Sequence, residues 1–237
     1  MLRLHGLRHA SFEKEGEIAV WAKEHGHSLT HTDLWNGETP PALDTFDFLI
    51  VMGGPMNIYE EDAFPWLARE KRFLADSIQE GKRILGVCLG AQLLADVLGG
   101  PVTKGKHREI GWHAVTAGPD AAKSPIFSTL PPSYLAFHWH GDTFAIPPRA
   151  LWVGKSEGCA HQAFSAEGDR VIGLQFHLEV NAQSLAAMAT GCADEVTVDP
   201  VAFPFVQSVD EMTSRPERLA EVRLLLNHIL DNMAALG

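Results

Sequence analysis

Residues 85–94 read Leu-Gly-Val-Cys-Leu-Gly-Ala-Gln-Leu-Leu. Cys88 stands between Gly86 and Gly90, after an apolar run and before an apolar, helix-like one. A cysteine kept for packing alone has no need of glycine two residues away on both sides. A nucleophile on a tight strand-to-helix turn does. The glycines let other backbone come close, and the cysteine takes a strained conformation. The helix that follows points its dipole and free N–H groups at the sulfur, which favours thiolate over thiol. The chemistry is nucleophilic attack by sulfur, and it requires a base nearby in space.

The stretch Arg-Val-Ile-Gly-Leu-Gln-Phe-His-Leu-Glu-Val supplies one. Its apolar run ends in His177, and Glu179 lies two residues on. In extended backbone, i and i+2 point the same way. Glu179 can therefore hold one imidazole nitrogen while the other faces Cys88 or a substrate, the orienting role of a triad. An acyl-transfer site also needs donors for the oxyanion. The N–H of Leu89 and the turn Gly53-Gly54-Pro55 are two backbone sources, both expected at carboxyl ends of strands. The pair His138 and His140, with His113 upstream, raises a metal reading. No carboxylate partner shows recognisable spacing, so no metal is expected. Neither G-x-x-x-x-G-K-[ST] nor G-x-G-x-x-G occurs, so no phosphate-binding loop or cofactor is expected either.

The elements that must position these residues follow from periodicity. MLRLHGL and HSLTHTDL are short strands around a helical GEIAVWAKEHGH. FDFLIVMGGP is a buried strand. PWLAREKRFLADSIQEG is an amphipathic helix with Trp66, Leu67, Phe73, Leu74 and Ile78 on one side. KRILGVC is the next buried strand and AQLLADVLGG the next helix. This alternation predicts an α/β fold: a mostly parallel sheet with helices on both faces. After about residue 100 come short strands with few helices, PVTK, GWHAVTA, LAFHWH, ALWVGKS, AHQAFSA and RVIGLQFH. They are read as added strands, part of them antiparallel. From Asn181 the chain reads helical again, ending in RPERLAEVRLLLNHILDNMAAL. A single domain over 1–237 is expected, with a helical extension from about 181 and no function for the loop around Asp199-Pro200 and Phe203-Pro204.

A net charge of −11 repels phosphate backbones, so nucleic acid is not an expected partner. The cysteines, Cys88, Cys159 and Cys192, are odd in number and widely spaced, which fits a reducing compartment. Cys159 and Cys192 are read as structural or incidental. With no signal-peptide pattern and no membrane-length apolar run, a cytoplasmic location is expected.

Taken in order, GVCLGAQ, MGGP, HWHGD and GLQFHLE are distributed as in the class I (triad) glutamine amidotransferases, most nearly the stand-alone GMP-synthase-like members. The resemblance covers about residues 45–180 and implies the flavodoxin-like fold of that family. It implies that Cys88 attacks the side-chain amide of glutamine, that His177 serves as base and then acid, and that Glu179 orients His177. A γ-glutamyl thioester would form and be hydrolysed to glutamate. Gly54 and Leu89 would be the oxyanion donors. Gln92 matches the family's substrate-binding glutamine. Trp139, Gly141 and Asp142 match a segment that holds the substrate's amino-acid end. Arg108 to Trp112 matches a loop near the pocket. Leu178 stands where the family often has proline, and Met56-Asn57 where GMP synthases have Glu-Ser. No SGG-x-DS loop is present, so any ammonia acceptor is expected on another polypeptide. Two alternatives stay open: a γ-glutamyl peptidase, and a non-catalytic regulatory or binding protein on the same fold.

Overall fold

The computed structural model describes residues 1–191 and 193–237; Cys192 lies outside the described residues. The chain runs β1 (Arg3–Arg8), α1 (Glu17–Glu24), β2 (Ser28–Asp33), β3 (Phe48–Val51), α2 (Trp66–Gln79), β4 (Arg83–Val87) and α3 (Leu89–Val97). It continues through β5 (Val102–Ala117), β6 (Ser133–Phe144), β7 (Leu151–Lys155), β8 (Ala163–Ala166) and β9 (Val171–Leu174). Four helices close it: α4 (Ala182–Gly191), α5 (Ala193–Val196), α6 (Val209–Thr213) and α7 (Glu217–Ala235).

All nine strands join one sheet in the order β2-β1-β3-β4-β9-β8-β7-β5-β6. The first five are parallel, in the doubly wound order with a switch point between β1 and β3. The other four pairings are antiparallel, so the two kinds share the sheet evenly. The α/β expectation holds, with a larger antiparallel half than "mostly parallel" implies. PVTK and GWHAVTA are not two strands but one 16-residue β5, bulged between Lys104 and Glu109. A bulge keeps a long strand paired while turning part of it out of line.

Helices cover both faces. Phe48 and Ile50 of β3 pack with Ile18, Trp21 and Ala22 of α1 and with Val222, Leu226 and Ile229 of α7. Leu49 and Val51 face the other way, onto Leu67 and Leu74 of α2 and Leu93 and Leu94 of α3. The period of two in a strand thus divides one apolar run between two cores. On α2, Leu67 and Leu74 are buried while Trp66, Phe73 and Ile78 are half-buried; Glu70 is fully buried in their midst.

The segment before α6 does more than connect. Ile110 N–H donates to Phe205 O at 2.9 Å, and Gln207 N–H to Ile110 O at 2.9 Å. The Gln207 side chain bridges both main-chain groups of Trp112. Residues 203–207 therefore form a strap along β5, opposite β6. No helix among the described residues is long and apolar enough to cross a membrane.

Candidate active site

Cys88 sits between β4 and α3 with φ 51° and ψ −107°, a left-handed conformation rare for a non-glycine residue. Its N–H donates to Leu174 O of β9 at 2.8 Å, and its carbonyl accepts from Gln92 N at 3.1 Å, so strand and helix grip the elbow from both sides. Both flanking glycines are required by close approach. A methyl on Gly86 would lie 2.6 Å from Gly90 O, and one on Gly90 would overlap the Val51 carbonyl.

His177 lies three residues beyond β9, not within it. It is held by an isolated bridge to β6, with His177 N–H donating to Phe137 O at 2.7 Å. Its Nδ1 meets Glu179 Oε1 at 2.7 Å, both side chains buried. Glu179 is fixed through its own carbonyl, which accepts the first N–H of α1, from Glu17, at 2.8 Å. His177 Nε2 is buried with no hydrogen-bond partner among the described residues, which leaves it free to exchange a proton in the cavity. Burial alone would lower the His177 pKa; Glu179 and the nearby Cys88 sulfur outweigh it and raise it well above the ordinary imidazole value.

Cys88, Leu89, Gln92, Gly54, Trp139, Gly141, Asp142 and His177 all line one cavity of about 400 Å³. Glu179 stands behind His177. The residues singled out from sequence are thus brought together. The N–H of Leu89 begins α3, where it has no helical partner, and that of Gly54 has none among the described residues. The Cys88 sulfur lies 3.5 Å from Trp139 O. Gln92 Nε2 reaches Asp142 O at 3.4 Å and Gln175 Oε1 at 3.2 Å.

Sequence reasoning missed several neighbours. Gln175 is fully buried, and its amide nitrogen lies 3.7 Å from the Cys88 sulfur. Glu13, in the β1–α1 loop, lines the cavity; its carboxylate occupies the space that a Gly53 side chain would fill. Burial and then the Glu179 charge raise its pKa, against His177 and His9. Phe203, in the loop given no function, forms part of the cavity wall, and the Arg108 guanidinium packs on its ring at 5.5 Å. Lys104, Lys106 and Arg108 line another part, where β5 bulges, and none makes an ion pair among the described residues.

The histidine pair does have a carboxylate partner. Glu109 lies opposite His140 across β5 and β6, and Glu109, His138 and His140 bring ligand atoms within 4.8 Å of one another. Gln162 Nε2 stands 2.5 Å from Glu109 Oε2 and 3.3 Å from His140 Nε2, so an N–H donor is already directed at this centre. Burial would raise the Glu109 pKa, but His140, His138 and Ser156 overcome it and hold it at about 2. Cys159 is buried against Thr143, and burial raises its pKa.

Residues 17–189 match the family model "Glutamine amidotransferase class-I", and the chain belongs to the class I glutamine amidotransferase family. A glutamine amidotransferase-like protein of Salmonella typhimurium, YfeJ, is 29% identical over 215 residues, 89% of each chain. The GMP synthase (glutamine-hydrolysing) of Thermomicrobium roseum is 32% identical over 70% of this chain, which spans only 31% of that protein's length. Among solved structures, a glutamine amidotransferase from Thermotoga maritima superposes with TM-score 0.87 at 31% identity, covering 99% of both chains.

Proposed function

We propose that this protein hydrolyses the γ-amide of glutamine through a thioester on Cys88. The observation that carries this reading is the strained Cys88 sharing one cavity with the unpartnered Nε2 of a Glu179-bound His177. The Cys88 proton passes to His177, and the sulfur attacks the amide carbon. The oxyanion is held by the N–H groups of Leu89 and Gly54. His177 Nε2 gives the proton to the leaving nitrogen, the C–N bond breaks and ammonia departs. Water, deprotonated by His177, then cleaves the thioester to glutamate. Gln92, Trp139, Gly141 and Asp142 hold the amino-acid end. The acceptor of the ammonia is a synthetase, by analogy with the GMP synthases that this chain matches over part of their length.

The γ-glutamyl peptidase reading is favoured by one feature. Lys104, Lys106 and Arg108 line one part of the cavity without ion-pair partners among the described residues, beside Glu13, Asp142 and Glu195, and this extended charged lining offers more contacts than a single α-carboxylate uses and suits a longer γ-glutamyl compound. Glutamate release should therefore be measured with glutamine and with a γ-glutamyl dipeptide in parallel. Cys88→Ala should abolish both activities. Wild-type turnover in that variant would overturn the reading, and preference for the dipeptide would select the peptidase.

A further inference from the structure

His9 is the first residue past β1, and Glu70 lies in the second turn of α2. Both side chains are fully buried. Charges kept out of water need a reason, since an apolar pair of the same size commonly serves stability as well or better. The reason lies at the other end of the histidine. His9 Nε2 meets Glu70 Oε1 at 2.8 Å, while Nδ1 meets Gly53 O at 3.0 Å. A carbonyl oxygen only accepts, so Nδ1 carries hydrogen and donates to Gly53. The Glu70 carboxylate oxygen is likewise an acceptor, so both ring nitrogens face acceptors and the arrangement suits a ring that donates from each; burial opposes the protonated form, while Glu70 and the Gly53 bond favour it and raise the His9 pKa.

The Gly53 carbonyl belongs to the same planar peptide unit as the Gly54 N–H. In a trans peptide the two point in opposite directions. Holding the oxygen therefore fixes the aim of the N–H. Without such a hold, a glycine–glycine peptide is among the easiest to rotate. His9 also packs beside Gly54: a methyl there would come within 2.8 Å of Met56 Sδ, His9 Cβ and Leu89 Cδ2. A methyl on Gly53 would lie 3.5 Å from Cys88 Cβ, which puts this peptide next to the nucleophile. A cation bonded to the oxygen also polarises the peptide and makes its N–H a better donor.

We infer that the buried His9–Glu70 pair is a positioning device that clamps the Gly53–Gly54 peptide and keeps the Gly54 N–H aimed at the oxyanion. It rests on the reading of Gly54 as an oxyanion donor given above. His9 and Glu70 touch no reacting atom; they act through the peptide.

The test uses a double variant, His9→Phe/Glu70→Leu, which removes both charges together and leaves neither stranded. Three quantities are compared with wild type: kcat and KM on whichever of glutamine or the γ-glutamyl dipeptide is turned over, the affinity of a γ-aldehyde analogue of glutamine, and the rate at which iodoacetamide alkylates Cys88. The aldehyde places an oxygen in the oxyanion position; alkylation does not. Losing one oxyanion donor outright costs about 10²–10³-fold, so a mis-aimed one should cost about 10–100-fold in kcat. Aldehyde affinity should fall in step, with KM and alkylation nearly unchanged. His9→Asn, whose amide nitrogen can still donate to Gly53 O, should recover most of the loss; this single variant and Glu70→Gln carry the same test should the double variant not fold. Wild-type kcat and aldehyde affinity in a folded double variant would overturn the clamp. So would a parallel fall in alkylation, which marks general disorder of the site. Wild-type protein that turns over neither substrate and does not bind the aldehyde overturns the oxyanion reading itself and the clamp with it.

Discussion

Replacing Glu179 by glutamine removes a charge and little else. The amide can still accept from His177 Nδ1, and the backbone of residue 179 stays pinned by the α1 N–H. What disappears is an anion 2.7 Å from the ring nitrogen, with both groups buried. Placing the charge centres about 4 Å apart, an effective dielectric near 20 gives about 4 kcal/mol for the imidazolium–carboxylate attraction. Catalysis spends that attraction when His177 holds the proton taken from Cys88. At 1.36 kcal/mol per decade, kcat for glutamate release should fall about 10³-fold. The pH profile should move too. With the anion gone, burial is the largest remaining influence on His177 and lowers its pKa. The acid form needed by the leaving group is then lost earlier as pH rises, so the alkaline limb shifts to lower pH. A variant whose kcat stays within tenfold of wild type, with an unmoved alkaline limb, would refute the reasoning.

His5, buried between Thr30 and Thr32, has its pKa lowered to about 4, first by burial and then by His31. Between pH 6.5 and 4 the unfolded chain takes up a proton there that the folded protein refuses. Stability should therefore fall by about 2–3 kcal/mol from pH 7 to 4.5, measured by urea unfolding, and His5→Gln should lose that part of the slope; an unchanged slope would remove His5 from the account. Gly90→Ala drives a methyl into the Val51 carbonyl, so it should cost about 1–3 kcal/mol of stability and displace the elbow. A thermal scan showing an unchanged midpoint would contradict that overlap.

The chemistry at the ends of β4 and β9 was legible because it is local in sequence. Gly86, Cys88 and Gly90 share one turn, and His177 and Glu179 are two residues apart, so spacing alone carries the geometry. The same holds for the strand and helix periods up to α3. His9, Glu13 and Glu70 were not legible. His9 and Glu13 meet Gly53, and Glu70 meets His9, only because β1 and β3 are neighbours in the sheet, and nothing in RHASFEKEG or in an amphipathic α2 signals a polar contact across that seam. On α2 the apolar side was read correctly, while Glu70, lying within it, was invisible to a pattern that counts only apolar residues. Glu109 was missed as the partner of His140 for a related reason: a pairing between β5 and β6 is set by register across a bulge, not by spacing. Phe203 was passed over because a proline-marked loop looks like a plain connection until it is seen lying along β5.

The strap at Phe205–Gln207 also bears on solubility. The middle of β5 pairs with β6 on one side only, and β7 meets β5 only at Thr116 and Ala117. Without the strap, the main-chain groups of Ile110 and Trp112 that now bond to residues 205 and 207 would be an open edge, able to take a strand from another copy of the chain. By filling that stretch of edge with its own backbone and the Gln207 amide, the protein removes a template for self-association along the part of β5 that β7 does not reach.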